Sequence, residues 1–223
     1  EPYTPIVVEE KYSYGDDTLG LMQSVLDSLE KLPGGINNAL IPKLVNALFK
    51  LAYDRPEAAT GTIGETFNST KFRGQLFSAA FGIARESVRD VIEHCLEINK
   101  SIKLAGVMAF RFVKGTSATL GFTRWENSCV LELDGADTIV NYEFMEALSD
   151  RLFAHNIEHT IHWGKVNTIL DKDRLKKMYG ESRINAWKMQ RSRIMNIDMQ
   201  SMFNNDFMNA CGLDEFVHTP LIA

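Results

Sequence analysis

The apolar positions in the first third of the chain recur at the spacing of amphipathic helices. After a short apolar strand over residues 6–8, Asp16 and Asp17 can cap a helix that ends at a Pro-Gly-Gly turn. A second run over residues 40–52 carries its apolar side chains on one stripe. We expect this stripe to be buried, with attachment to a membrane surface as the alternative because basic residues lie off it. Residues 57–73 are rich in Gly, Thr, Ser and Asn and predict a loop.

Strand and helix patterns alternate in the middle of the chain, and Asn141 is placed to cap the second helix. The predicted elements are a strand over 76–83, a helix over 85–99, strands over 104–113, 117–125 and 129–133, a helix from 141, and a strand over 157–163. This order predicts the α+β class and the ferredoxin-like split βαβ plan, in which helices cover an antiparallel sheet. Residues 171–210 predict a tail of two or three short helices.

Composition and charge narrow the class of protein. The 223 residues are 45% hydrophobic and 24% charged, which is typical of a folded chain. The net charge of −5 leaves no basic surplus for a phosphate backbone, so we expect no nucleic-acid partner. No apolar run approaches the roughly 20 residues of a membrane span, so we expect a soluble chain. Cys95, Cys129 and Cys211 form no disulfide or zinc-ribbon pattern, which favours a cytoplasmic location.

Three histidines, His155, His159 and His162, are spaced four and three residues apart. On a helix this spacing would gather them on one face as a zinc site. The alternation of residues 157–162 instead indicates a strand, which turns His159 and His162 to opposite sides of the sheet. We therefore expect no metal.

Arg111 lies in an almost wholly apolar strand, where an unpaired charge would be unfavourable. One interpretation is an internal ion pair with a carboxylate such as Glu132. The other is a guanidinium directed into a pocket to bind a substrate oxygen or a cofactor.

The sequence His162-Trp163-Gly164-Lys165 ends the last predicted strand and puts a cation where the chain turns at the sheet edge. Taken alone, the four residues fit an ordinary strand end with a solvated lysine. No nucleophile elbow, Walker loop or dinucleotide fingerprint accompanies them.

Several motifs over about residues 74–210 resemble the C-terminal part of FAD-dependent oxidases of the vanillyl-alcohol-oxidase type, above all the sugar-lactone and alditol oxidases. They are His162-Trp163-Gly164-Lys165, Trp187 to Arg193, Asp198 to Phe207, Ser78 to Glu86, and Ala109-Phe110-Arg111. Met199 and Ser201 replace the usual Pro and Gly of that pattern. Ala109 stands where the family carries a glutamate two residues before the arginine, which leaves a bulkier alcohol than a sugar open.

The resemblance implies an oxidoreductase that removes hydride from a CH–OH group of a small alcohol, lactone or sterol-like substrate and passes it to FAD. It implies catalytic roles for Arg111 and Lys165, and a place beside the cofactor for His162, Trp163 and Asn205. The alternative is a stand-alone ferredoxin-like binding or interaction module without catalysis.

The resemblance also implies three parts. Residues 1–73 form the helical N-terminal part of a substrate-binding cap, residues 74–165 its ferredoxin-like core, and residues 166–223 a helical segment that returns to an FAD-binding domain of the same polypeptide. The family's glycine-rich pyrophosphate loop has no counterpart in these residues, and the sequence opens at Glu1 without a methionine. We therefore expect a piece of a longer enzyme.

Overall fold

The computed structural model describes Ser28, residues 40–47 and residues 76–217. It divides into two compact units. The first comprises Glu1–Phe77, Asn99–Val107 and Asp134–Phe144, and the second comprises Ser78–Ile98, Met108–Leu133 and Met145–Ala223.

The sheet has four antiparallel strands in the order β2-β3-β1-β4, and most of it belongs to the second unit. The strands are β1 (Leu76–Ala84), β2 (Gly106–Lys114), β3 (Asn127–Ala136) and β4 (His159–Ile161). In the β1–β4 pair, Phe81 lies opposite Ile161 and Ile83 opposite His159. Together with the helices, this sheet confirms the predicted α+β class.

Helices connect and follow the strands. A short 3₁₀ turn (Arg85–Ser87) leads into α1 (Val88–Ser101), which is followed by α2 (Ile139–Ala154), α3 (Lys172–Tyr179), α4 (Glu181–Ile194), α5 (Ile197–Met202) and α6 (Asp206–Ala210). The periodicity predicted for α1 is confirmed, because Val91, Cys95 and Ile98 are the buried residues of this helix. None of the helices among the described residues has the length and apolar character needed to cross a membrane.

The predicted strand over residues 117–125 is wrong. The segment is irregular, and Gly115 and Thr116 close it by donating backbone hydrogen bonds to Glu126 and Thr123. The Phe122 carbonyl oxygen comes so near Gly82 of β1 that a Cβ atom at position 82 would clash with it. The segment therefore approaches β1 through its backbone without forming a strand.

Asn141 does not cap α2, contrary to the prediction. It lies inside the helix, and its buried amide binds the backbone at two other positions of the first unit. Its Oδ1 accepts from Ala105 N at 2.8 Å, and its Nδ2 donates to the carbonyl oxygens of Ala105 (3.2 Å) and Ala136 (2.8 Å). A polar residue near a helix start thus serves tertiary structure rather than the helix end.

The C-terminal tail contains four helices where two or three were predicted. Side chains of Asp171, Asn196 and Asn205 cap α3, α5 and α6. The buried guanidinium of Arg191 donates to Gln200 and Asn204, which ties α4 to the segment that follows it.

Predictions for the N-terminal part are tested at few positions. Residues 40–47 are helical, as predicted, but the expected burial of the apolar stripe is only partly confirmed, because Val45 is buried whereas Leu40 is 46% exposed. The predicted strand over 6–8 and loop over 57–73 lie outside the described residues. The predicted final strand is confirmed in position, but β4 is only three residues long.

Candidate functional site

Two cations taken from separate sequence motifs meet on one carboxylate. Arg111 of β2 lies with its Nε 2.6 Å from Oε2 of Glu132 in β3, and Lys165, which follows β4, places Nζ 2.8 Å from Oε1. We call these three residues the Glu132 cluster. Its carboxylate side chain is 10% exposed, whereas the side chains of Lys165 and Arg111 are 23% and 68% exposed. The ion pair considered for Arg111 is therefore present, and Lys165 is not simply solvated.

Strand alternation and one turn bring the cluster together. Glu132 lies between the fully buried Leu131 and Leu133 in sequence, so its side chain leaves the opposite face of β3. After β4 the chain turns at Gly164, and Val166 N donates to Ser78 O of β1 at 2.8 Å. This bond holds the turn beside the sheet, from which the long side chain of Lys165 reaches Glu132.

The electrostatics of the cluster keep the carboxylate ionised. Desolvation tends to raise the pKa of Glu132, but the hydrogen bond and charge of Lys165 and the charge of Arg111 outweigh it, and the pKa lies below its usual value. A carboxylate with a lowered pKa is a weak base. The exposed guanidinium of Arg111 is the part of the cluster best able to bind an oxygen of another molecule.

Sequence reasoning treated Glu132 only as a partner for Arg111 and missed it as the centre of the cluster. The available signal was a glutamate in an apolar strand, where a buried carboxylate needs cationic partners. Its second partner could not be predicted, because it depends on the path of the turn after β4.

His162 and Trp163 lie in the same turn as Lys165 but have their own contacts. Nδ1 of His162 accepts from Gly164 N at 3.0 Å, so a neutral ring carries its proton on Nε2. The indole N–H of Trp163 donates to Leu120 O at 2.8 Å, and the ring stacks on Tyr179 with centroids 5.8 Å apart. Trp163 thereby fixes the irregular segment before β3.

Asn205 lies at the start of α6, apart from the Glu132 cluster in sequence. Its Oδ1 accepts from Met208 N at 2.9 Å and caps the helix. The cofactor-binding roles that the resemblance implies for His162, Trp163 and Asn205 stay predictions, and each of the three uses the polar atom named above within the chain.

An apolar cavity of about 370 Å³ opens beside Trp163. Trp187, Phe207 and Leu213 line it together with residues 118–121. Its volume falls within the range of small-molecule sites, and its aromatic walls suit a flat apolar group. Trp163 thus belongs both to this cavity and to the turn that carries Lys165.

The three histidines of the candidate zinc pattern have different neighbours. His155 packs against His94, His162 against Phe122, and the buried His159 against Phe153. Within residues 76–217 and the shorter described segments, no three His, Cys, Asp or Glu side chains are grouped to hold a metal ion. Cys95, Cys129 and Cys211 are buried free thiols.

His159 belongs to a buried hydrogen-bond chain that the sequence did not indicate. Arg174 donates to Ser149 Oγ at 3.0 Å, and Ser149 Oγ lies 2.9 Å from His159 Nε2. His159 Nδ1 lies 3.1 Å from Ile157 O. Because a carbonyl can only accept, the neutral ring carries its proton on Nδ1 and accepts from Ser149 at Nε2. Ser149 is fully buried, which leaves it no access to a substrate.

Comparison with known proteins gives no family for the chain: no protein-family model matches it, and no curated protein matches it.

Proposed function

We propose that the chain forms the substrate-binding and C-terminal parts of an FAD-dependent oxidoreductase that oxidises the CH–OH group of a small alcohol, lactone or sterol-like molecule. The observation that carries this proposal is the Glu132 cluster. Arg111 and Lys165 come from two separate motifs of the resemblance, and both contact the same carboxylate. If the two short motifs resembled the family only by chance, Arg111 and Lys165 would not be expected to contact the same carboxylate.

The strand order supports the cap fold that the resemblance implies. The order β2-β3-β1-β4, with one helix between β1 and β2 and another between β3 and β4, is that of a ferredoxin-like split βαβ domain. We propose this fold for the part of the chain that binds the substrate.

Glu132 supplies a carboxylate for Arg111 in place of the acidic residue that is missing at position 109. The family's glutamate would stand on the same strand as the arginine, two residues before it. Here Ala109 occupies that position, and the carboxylate beside Arg111 comes from the neighbouring strand. In this proposal the chain keeps the acid–arginine pair of the family, but the acid comes from β3 and not from the strand of the arginine.

The residues present fit a flavin and substrate in part. The exposed guanidinium of Arg111 and the Nε2–H group of His162 suit oxygen atoms and developing negative charge. FAD, when bound, accepts the hydride. In this proposal Arg111 binds the substrate oxygen, Glu132 orients both cations, and Lys165 stabilises negative charge beside it. The hydroxyl proton that the oxidation also releases passes to water, because the lowered pKa of Glu132 makes it a positioning residue rather than the proton acceptor.

The experiment uses the full-length polypeptide that contains these residues. We expect it to bind FAD and to lose the flavin colour when an alcohol substrate is added without oxygen. Arg111→Met and Lys165→Met should each slow this step about 10²–10³-fold, because each removes a charge-assisted contact to the developing charge. Lys114→Met is the matched control, since it removes an exposed cation from the same strand and should leave the rate unchanged.

Two outcomes would count against the proposal in different ways. A full-length polypeptide without flavin would overturn the assignment to this class of enzyme. A flavoprotein with normal rates in both variants would leave the class standing and remove the Glu132 cluster from the reaction.

A stand-alone ferredoxin-like module is the second candidate. It is favoured by the ion pairs that both cations form with Glu132 and by the internal contacts of Trp163 and Asn205. The coding sequence before Glu1 separates the two candidates, because an in-frame flavin-binding region supports the oxidoreductase. If FAD is held by that region, residues 1–223 purified alone should be colourless, and bound flavin in one-to-one ratio would contradict the domain assignment.

A further inference from the structure

The outer edge of β2 is a long strand edge that no strand of the described residues pairs with. β2 stands at one end of the strand order, so β3 covers one of its edges, and no strand of the described part of the chain pairs with the other. β2 is nine residues long, whereas β4 at the opposite end has three. Residues 111–114 are all exposed. Residues 106–110 are half-buried, and a strand edge that is unpaired among the described residues is a template for pairing with another chain.

An apolar groove of about 500 Å³ lies beside this edge, between β2 and the start of α1. Phe112, Val88 and Ile92 provide its apolar walls, and Arg85 lies 5.7 Å from the centre of the Phe112 ring. Phe112 is 60% exposed, which is a large exposed fraction for a phenylalanine in a sheet. The edge and the groove therefore form one continuous surface.

Leu96 extends the apolar part of this surface along α1. It follows Ile92 by four residues and Arg89 by seven, so the three share one stripe of the helix. Ile92 and Arg89 line the groove, and Leu96 is 59% exposed. The stripe lies off the buried residues of α1, which are Val91, Cys95 and Ile98.

We propose that the β2 edge and the groove beside it form a self-association surface, on which a second copy of the chain pairs its own β2 antiparallel to the first. The sheet then continues from one copy into the other across a two-fold axis, and the two α1 helices lie side by side next to that axis. This proposal does not depend on flavin chemistry.

The sequence of β2 suits pairing with itself. Phe110 is the midpoint of Gly106–Lys114, so a two-fold axis at Phe110 gives the longest overlap of the two strands. This register places Arg111 opposite Ala109 of the second copy and Phe112 opposite its Met108. No cation then faces a cation directly, which is the arrangement that antiparallel pairs favour.

The charges around the surface are also self-complementary. The rim of the groove carries two arginines, Arg85 and Arg89, and two glutamates, Glu86 and Glu93. Across a two-fold axis this rim lies against the same rim of the second copy, so arginines of one copy can pair with glutamates of the other. The two Arg111 side chains come diagonally across the axis, and each is already paired with its own Glu132.

The register gives a direct test by cross-linking. A residue on the axis faces its own copy, with Cα atoms about 4.5–5.5 Å apart, which a disulfide can span. We expect Phe110→Cys to form a disulfide-linked dimer under mild oxidation. Phe112→Cys is the matched control, because the two copies of position 112 are offset by roughly 13 Å along the strands. The native cysteines are buried, so the unmodified chain should stay uncross-linked.

Sedimentation velocity over a concentration series tests the association without cross-links. We expect a monomer–dimer equilibrium in which Phe112→Glu and Leu96→Glu each raise the dissociation constant at least about tenfold, since each places a charge in an apolar contact. Met202→Glu is the control, because Met202 is 79% exposed and lies in α5, outside this surface. Circular dichroism checks that each variant is folded.

The two measurements decide the proposal together. Preferential cross-linking at position 110, with weaker association of folded Phe112→Glu or Leu96→Glu, would support it. A monomer at every concentration, equal cross-linking at positions 110 and 112, or a dimer weakened only by Met202→Glu would overturn it.

Discussion

Arg111 and Glu132 form an ion pair of 2.6 Å in which the two partners have very different surroundings. The carboxylate side chain is 10% exposed, and the guanidinium side chain is 68% exposed. Lys165, on the other oxygen of the same carboxylate, is 23% exposed. Water screens an exposed charge and weakens its net contribution, so the two cations should not contribute equally to stability.

We predict that Lys165→Met lowers the free energy of unfolding by about 1–3 kcal/mol, because it removes the less exposed partner of a buried carboxylate. Arg111→Met should lower it by less than about 1 kcal/mol. Urea denaturation at neutral pH measures both. Combining Lys165→Met with Glu132→Gln should recover part of the loss. Equal losses of unfolding free energy in the two single variants would show that solvent exposure does not determine how much each cation stabilises the fold.

The sequence predicted those elements whose apolar pattern follows from local burial. The pattern over residues 76–83 corresponds to β1, and the apolar stripe of residues 88–98 corresponds to α1. These predictions succeeded because one face of each element is buried within the fold. The aromatic residues of the segment 117–125 are also partly buried, but the Phe122 ring contacts His162 and Trp125 contacts Arg124 and Glu158, and the sequence pattern alone cannot distinguish such burial from that of a strand.

The candidate site was predictable only where it depends on strand register. Arg111 and Glu132 were proposed as partners from their apolar strands, and the structure confirms the pair. The contact of Lys165 with Glu132 depends on the turn after β4, which tertiary contacts fix. The Ser149–His159 pair was missed for a similar reason, since a lone serine inside a helix gives no signal of its partner.

We predict that His159 makes the protein less stable as the pH falls below neutral. Burial lowers the pKa of His159 to about 4, and the charge of Arg174 also lowers it, although the bond to the Ile157 carbonyl acts in the opposite direction. The unfolded chain binds a proton near pH 6.5, whereas the folded chain resists it, so stability is present at pH 7 and is lost as the pH falls toward 4. The loss between pH 7 and pH 5 should be about 2 kcal/mol.

Denaturation at pH 7 and pH 5 measures this loss in the wild type and in His159→Gln, which cannot titrate. The variant should retain only the smaller dependence that comes from His94, whose pKa is lowered by burial, by His155 and by Arg151. His155→Gln, at an exposed position, should keep most of the wild-type loss. A wild-type pH dependence in His159→Gln would assign the effect to other groups.

Glu215 should produce a second loss of stability at lower pH. Its hydrogen bonds with Lys172 and Lys188 lower its pKa to about 2 despite desolvation. A carboxylate with a lowered pKa stabilises the fold above its unfolded value of 4.5 and loses that contribution as the pH falls toward 2. We expect Glu215→Gln to be less stable than the wild type at pH 5 and to approach it at pH 3. A constant difference between the two proteins over this range would contradict the role of the ion pairs.

Gly82 provides a test of the packing between β1 and the irregular segment before β3. A Cβ atom at this position would meet the Phe122 carbonyl oxygen and the Thr160 hydroxyl, and the backbone carbonyl cannot turn away as a side chain could. We predict that Gly82→Ala lowers the free energy of unfolding by about 1–3 kcal/mol, measured by urea denaturation. Gly164→Ala is the matched control, because its Cβ would lie 3.4 Å from the His162 ring, an ordinary contact. The control should change stability by less than about 0.5 kcal/mol. If Gly82→Ala were equally well tolerated, the segment before β3 could move away from β1 without loss of stability. That segment includes Leu120, so it would then not hold Trp163 in place through the Trp163–Leu120 hydrogen bond.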